Sequence, residues 1–150
     1  MDEGFFREVI APLVDGTEIE FVGEINESAK TEFLGRAAGL LFPIDWPEPF
    51  GLVMIEAMAC GTPVIAWRRG SVPEIVEDGV TGFIVDGEAE AMSTIGKLAT
   101  LDRARVRAGF EDRFTARRMG QDYLTCFKAL LSRHRQKSID TSIRPPIAAE

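Results

Sequence analysis

Short apolar runs alternate with stretches of helical period along most of the chain. Phe6, Val9, Ile10 and Leu13 fall on one stripe and predict a short helix over 3–13. Asp15-Gly16 reads as a turn. Ile19 to Val22 reads as a short strand stopped by Gly23. Asn26 or Ser28 can cap a helix running to about Ala38. Gly39-Leu40-Leu41-Phe42 is a buried-strand run ended by Pro43. Gly51-Leu52 opens a helix to about Cys60 whose apolar residues run almost all round it, which predicts burial on most faces. Val64 to Trp67 and Gly82 to Val85 read as further buried strands, with a short helix from Glu74 to Glu77 between them. Beyond them the pattern is helical over about 88–100, 102–113 and 116–134. Residues 136–150 lack a helical period and contain Pro145-Pro146, which predicts a disordered tail.

Strands spaced by helices predict βαβ units, and so an α/β fold: a Rossmann-like parallel sheet with helices on both faces. In such sheets ligands bind at the carboxyl ends of the strands, near a topological switch point. The loops after the strands are therefore where chemistry is expected.

Composition narrows the function classes. The chain has 150 residues, enough for one domain. No run approaches the roughly 18 continuous apolar residues of a membrane span. The acidic start Met1-Asp2-Glu3-Gly4 has no apolar segment of signal-peptide type. Cys60 and Cys126 form no C-x-x-C pair and read as core thiols, which suits a reducing, cytoplasmic location. A single histidine, His134, argues against a His-based metal site or a Ser-His-Asp triad, and reads as a surface residue near a helix C-terminus. Asn26-Glu27-Ser28 has the form of a glycosylation sequon but reads as a helix cap. Residues 1–90 hold 5 Lys/Arg and 18 Asp/Glu, a balance of −13, while residues 91–150 hold 12 and 6, a balance of +6. The basic residues sit in helical segments without the aromatic interleaving of a nucleic-acid surface, so no nucleic-acid partner is expected.

The loop from Pro43 and the helix after it carry the strongest chemical signal. Glu48 and Glu56 are separated by seven residues, the first in the loop and the second inside an otherwise apolar helix. A charge on such a helix needs a partner, and a carboxylate accepts bidentate hydrogen bonds from paired hydroxyls. The N–H groups of Phe50, Gly51 and Leu52 lie at the helix N-terminus, where an anion is favoured, and Gly51 allows close approach to the backbone. The pattern is that of hydroxyl-binding carboxylates flanking a phosphate-binding helix start. Arg68 and Arg69 read as exposed loop arginines or as positive charge for such a ligand. Glu74 reads as a residue favoured by the helix dipole. Trp46 reads as a ring stacking on a ligand, a hydrophobic lid, or a contact to a further domain.

The run Glu-Pro-Phe-Gly-Leu-Val-Met-Ile-Glu-Ala-Met-Ala-Cys-Gly-Thr-Pro-Val-Ile-Ala, Glu48 to Ala66, resembles the signature of retaining GT-B glycosyltransferases of the large family 4. Gly70-Ser71-Val72-Pro73-Glu74, Asp78-Gly79-Val80-Thr81-Gly82-Phe83-Ile84-Val85 and Phe21-Val22-Gly23-Glu24-Ile25 extend the resemblance collinearly over about 19–86. It implies the C-terminal, donor-binding half of a GT-B fold over 1–135, incomplete at its N-terminus. By that resemblance Glu48 is the catalytic candidate and contacts the donor sugar. Phe50, Gly51 and Leu52 cradle the phosphate, Glu56 holds the ribose, and the loop with Gly23 and Ile25 lies beside the base. The implied partner is a nucleotide-sugar donor, with no cofactor and no metal. The resemblance places the acceptor site on a missing N-terminal domain or another chain, and the Arg and Lys that clamp the diphosphate in missing first strand-helix units of the donor domain. The alternative is a non-catalytic remnant that persists as an oligomerising interaction module, because missing strands would leave an exposed sheet edge.

Overall fold

The computed structural model describes residues 3–142, of which 135–142 are described by backbone alone. The chain divides into two units, the first ending at Phe33 and the second beginning at Leu34.

The first unit opens with α1 (Glu3–Phe5), which continues as a π-helical turn, Phe6–Ile10, and a 3-10 turn, Ala11–Leu13. The predicted helix over 3–13 is thus helical throughout but changes pitch twice. Pro12 lies in the first turn of the 3-10 segment, where its missing N–H interrupts the regular ladder. None of these turns buries a residue, so no packing enforces regular geometry. The Phe6 and Phe21 rings meet at 4.8 Å. The helix α2 (Glu27–Arg36) starts as predicted: Asn26 Oδ1 accepts the Ala29 N–H at 3.0 Å.

The predicted strand at Ile19 to Val22 is not formed. Asp15 competes for its backbone. The Asp15 carboxylate accepts the N–H groups of Thr17, Glu18 and Ile19 at 2.8, 2.8 and 3.0 Å. The Ile19 carbonyl in turn accepts the N–H groups of Asp15 and Gly16. A side-chain oxygen has offered this segment a closed turn in place of a ladder.

In the second unit, β1 (Leu40–Phe42), α3 (Leu52–Ala59), β2 (Val64–Trp67), α4 (Val72–Ile75), β3 (Gly82–Val85), α5 (Glu88–Ile95), α6 (Arg103–Arg113) and α7 (Ala116–Ser142) follow in order. The three strands are parallel and stand in sequential order β1-β2-β3, with Leu40 opposite Val64 and Val64 opposite Gly82. Among the described strands the order never reverses, so the expected switch point does not lie in this sheet. The two-residue alternation of β2 sends its side chains into separate cores. Val64 and Ala66 pack with Ile84, with Met54, Ala57 and Met58 of α3 and with Val106 of α6. Ile65 and Val85 pack with Ala91 of α5 on the other side. The sheet is therefore covered on both faces, as the continuous apolar run of β2 requires.

Several boundaries and burial expectations differ. The helix α4 begins two residues before Glu74 because Pro73 sits within its first turn, where a proline costs no hydrogen bond. Leu52 of α3 is 64% exposed, while every other residue of that helix is buried or half-buried, so the expected burial on most faces fails only at its first position. Residues 136–142, expected in a disordered tail, continue α7 as helix, and no Gly or Pro interrupts the chain from Gln121 to Arg144. His134 consequently lies inside α7, not at its end. Residues 143–150 lie outside the described residues. Cys60 is half-buried, but Cys126 is exposed, because the α7 face that carries it is uncovered. No described helix is long and apolar enough to cross a membrane.

One side chain ties three elements together. Arg103 donates to the carbonyls of Ala37 and Gly35 at 2.7 Å each, and to Thr62 Oγ1 at 2.8 Å. Thr62 Oγ1 donates to the Leu34 carbonyl at 2.6 Å. The carbonyls at the end of α2 are thereby satisfied by a cation, which also suits the dipole there. Arg103→Ala leaves these acceptors without partners, and about 2–3 kcal/mol of stability should be lost. Chemical denaturation checks this; an unchanged midpoint would contradict the network.

The Asp15 turn makes a pH prediction. Its three backbone N–H donors, led by Ile19, lower the carboxyl from 3.8 to about 2. The turn's stabilisation is therefore complete above 3.8 and is lost as pH falls through about 2. Carbon-13 NMR titration of the Asp15 carboxyl should give a midpoint near 2, whereas a midpoint near 3.8 would mean the turn is open in solution.

Candidate functional site

The loop from Pro43 leaves the carboxyl end of β1, buries Ile44, and delivers Glu48 to the start of α3. Pro47 and Pro49 fix φ on either side of Glu48. The Glu48 N–H donates to the Trp46 carbonyl at 2.8 Å, and the Glu48 carbonyl accepts the Ser71 N–H at 3.0 Å. Ser71 Oγ donates to the Phe50 carbonyl at 2.9 Å. Gly70 makes this docking possible. A Cβ on Gly70 would lie 2.3 Å from the Glu48 carbonyl oxygen and 2.5 Å from its nitrogen, and φ there is +47°. The loop after β2 is thus clamped onto the loop after β1 by backbone contact.

The second glycine requirement is at Gly51. Its φ is +72°, and a Cβ there would meet Met54 Cε at 2.6 Å. This left-handed residue turns the chain from loop to helix and directs its N–H at Glu48. Glu48 Oε1 accepts that N–H at 3.1 Å, and Oε2 accepts the Trp46 indole N–H at 3.1 Å. A carboxylate at a helix N-terminus also gains from the dipole. The Phe50 and Leu52 amides have no protein partner among the described residues. Glu56 lies one turn beyond Leu52 on the same side of α3 and is half-buried.

The structure therefore brings Glu48, Phe50, Gly51 and Leu52 together, with Glu56 a turn further along. Gly51's N–H, expected in the phosphate cradle, is occupied by Glu48. Gly23, with φ of +66°, and half-buried Ile25 belong to the first unit. Arg68 and Arg69 are exposed after β2, and Arg68 pairs with Asp86 at 3.2 Å. Glu74 sits in the first turn of α4. Ser71 and Gly70 were missed as site residues. Their partners are main-chain atoms some twenty positions away, for which the sequence carries no signal beyond the place of Gly70-Ser71 in the family resemblance.

Beside the α3 start opens a cleft of about 600 Å³, lined by Phe50, Leu52, Ile55, Phe114, Met119 and Tyr123 among others. Phe50 meets the Phe114 ring edge-on at 6.4 Å. Among the described residues no group of three or more His, Cys, Asp or Glu side chains is placed to hold a metal ion.

A covered parallel sheet with a glycine-dependent carboxylate turn at its carboxyl edge defines a Rossmann-like α/β domain with its candidate site in the strand-to-helix loops. The family model for glycosyl transferases group 1 matches residues 6–108, and the chain belongs to that family. D-inositol 3-phosphate glycosyltransferase of Corynebacterium jeikeium is 42% identical over 76 residues, covering 49% of this chain and 18% of that protein. The Mycobacterium bovis protein of that name is 36% identical over 104 residues, covering 59% and 22%. The chain thus spans about a fifth of the length of these curated relatives. Among solved structures, Anabaena Alr3699/HepE in complex with UDP-glucose superimposes with a TM-score of 0.64 at 26% identity, covering 75% of this chain and 33% of that one. The fold is accordingly Rossmann-like α/β, matching part of a GT-B glycosyltransferase.

The clamp gives a graded prediction. Ser71→Ala removes one hydrogen bond and should cost about 1 kcal/mol. Gly70→Ala forces a Cβ into the Glu48 backbone and should cost at least twice as much, with displaced Glu48 and Gly51 amide resonances. Melting and NMR of the two variants check this; equal, small effects would contradict the close approach.

Proposed function

We propose that this chain supplies the donor side of a retaining glycosyltransferase and binds a nucleoside-diphosphate sugar at the start of α3. The observation that carries the proposal is the Glu48–Gly51 turn, pinned by Gly70 and Ser71 at the carboxyl end of β1 in a member of this family. Glu48 accepts hydrogen bonds from the donor sugar's hydroxyls. The Phe50 and Leu52 amides and the α3 N-terminus receive a phosphate, and Gly51's amide holds Glu48. Glu56 takes the ribose hydroxyls. The complex of HepE with UDP-glucose supports a donor of this class.

In the transfer, the bond from the anomeric carbon to the diphosphate oxygen breaks. A bond to the acceptor oxygen forms on the same face, and the acceptor's proton passes to the leaving phosphate. Negative charge grows on the diphosphate, where helix-end N–H groups act without reorganisation. One helix end contributes roughly 0.3–1 kcal/mol, little against the balance of −13 in residues 1–90. The proposal therefore assigns the neutralising Arg and Lys, and the acceptor site, to another part of the enzyme or another chain.

NMR titration of the chain with UDP-glucose tests donor binding. Saturable shifts are expected at the amides of 48–56, abolished by Glu56→Ala. Unmoved amides at millimolar ligand would refute the proposal.

A further inference from the structure

Trp46 does something its ring alone does not explain. The indole is 58% exposed, so no core packing fixes it. What orients it is local. The Glu48 N–H folds back onto the Trp46 carbonyl at 2.8 Å, which places two side chains that flank Pro47 within reach of each other. The indole N–H then donates to Glu48 Oε2 at 3.1 Å. Gly51 holds the other oxygen at 3.1 Å. An ionised carboxylate offers about four acceptor positions, two on each oxygen. The protein uses one on each, which leaves one on each for a ligand and fixes the plane in which they lie. With only the Gly51 bond the carboxylate would be free to turn about its last torsion, a broad one.

We infer that Trp46 is a positioning residue: its indole N–H fixes the plane of the Glu48 carboxylate so that both oxygens present an open acceptor to hydroxyls of the donor sugar. The inference rests on the donor-binding proposal above and assigns Trp46 a role in sugar recognition, not in nucleotide recognition.

Trp46→Phe keeps an aromatic ring, though a smaller one, and removes the N–H donor. Because the ring is exposed, the variant should melt like the wild type. Without ligand, the Gly51 amide proton and the Glu48 carboxyl carbon should shift, since both report the carboxylate's setting. By calorimetry, UDP-glucose should bind the variant about tenfold more weakly, the equivalent of one sugar hydroxyl losing its hydrogen bond to a misset Glu48 carboxylate. UDP, which lacks the sugar, should bind within about twofold of wild type. In a Glu48→Gln background the Trp46 change should add nothing, because its effect passes through that carboxylate. Unmoved Gly51 and Glu48 resonances would overturn the inference whatever the ligand does. Equal losses for UDP and UDP-glucose, or additivity with Glu48→Gln, would also overturn it while leaving donor binding intact. A wild-type chain that binds neither compound would overturn the donor proposal itself, and this inference with it.

Discussion

The close approach of Gly70 to the Glu48 backbone is the constraint on which the candidate site depends. Two loops that leave neighbouring strands touch there without a side chain between them. The contact lets Ser71 hydrogen-bond both the Glu48 and the Phe50 carbonyls and so fixes where α3 begins. Any Cβ at Gly70 would separate the loops, and with them Glu48 from its place above the Gly51 amide. The loop is thus a rigid part of the strand ends, which suits a site that must hold a carboxylate in one orientation.

Behind the loops the sheet provides the platform. Because β2 is buried on both sides, its alternate residues anchor α3 and α6 on one face and α5 on the other. Gly82 lets β3 approach the Val64 backbone, where a Cβ would lie 2.1 Å from the carbonyl oxygen. Arg103 adds a polar tie between the end of α2, the turn before β2 and the start of α6. Backbone groups left over at element ends are satisfied by side chains from distant positions, as buried polar groups require.

The elements most legible in the sequence were those with a single strong physical cause. The apolar runs of β1, β2 and β3 and the cap at Asn26 correspond to observed elements within a residue or two. Ile19 to Val22 failed because strand periodicity competes with turn chemistry, and Asp15 lies at the right offset to take its N–H groups. The end of α7 failed because lack of period was read as lack of helix, although nothing in 121–144 breaks one. The exposure of Leu52 and Cys126 was invisible, since an apolar residue does not announce whether a neighbour covers it.

By itself the sequence determined the class of fold, the identity of the Glu48–Gly51 turn and its family, because these depend on local pattern and on residue types no substitute can supply, such as Gly51 in the left-handed region. The tertiary structure decided how that turn is used. It placed Ser71 and Gly70 against Glu48, and set Trp46 and Gly51 on the two oxygens of one carboxylate, so that Gly51's amide is engaged by Glu48. The Gly70 and Ser71 contacts join separate loops, and spacing along a chain holds no record of distance in space; the Trp46 and Gly51 bonds are local but depend on a backbone path that residue types alone do not specify.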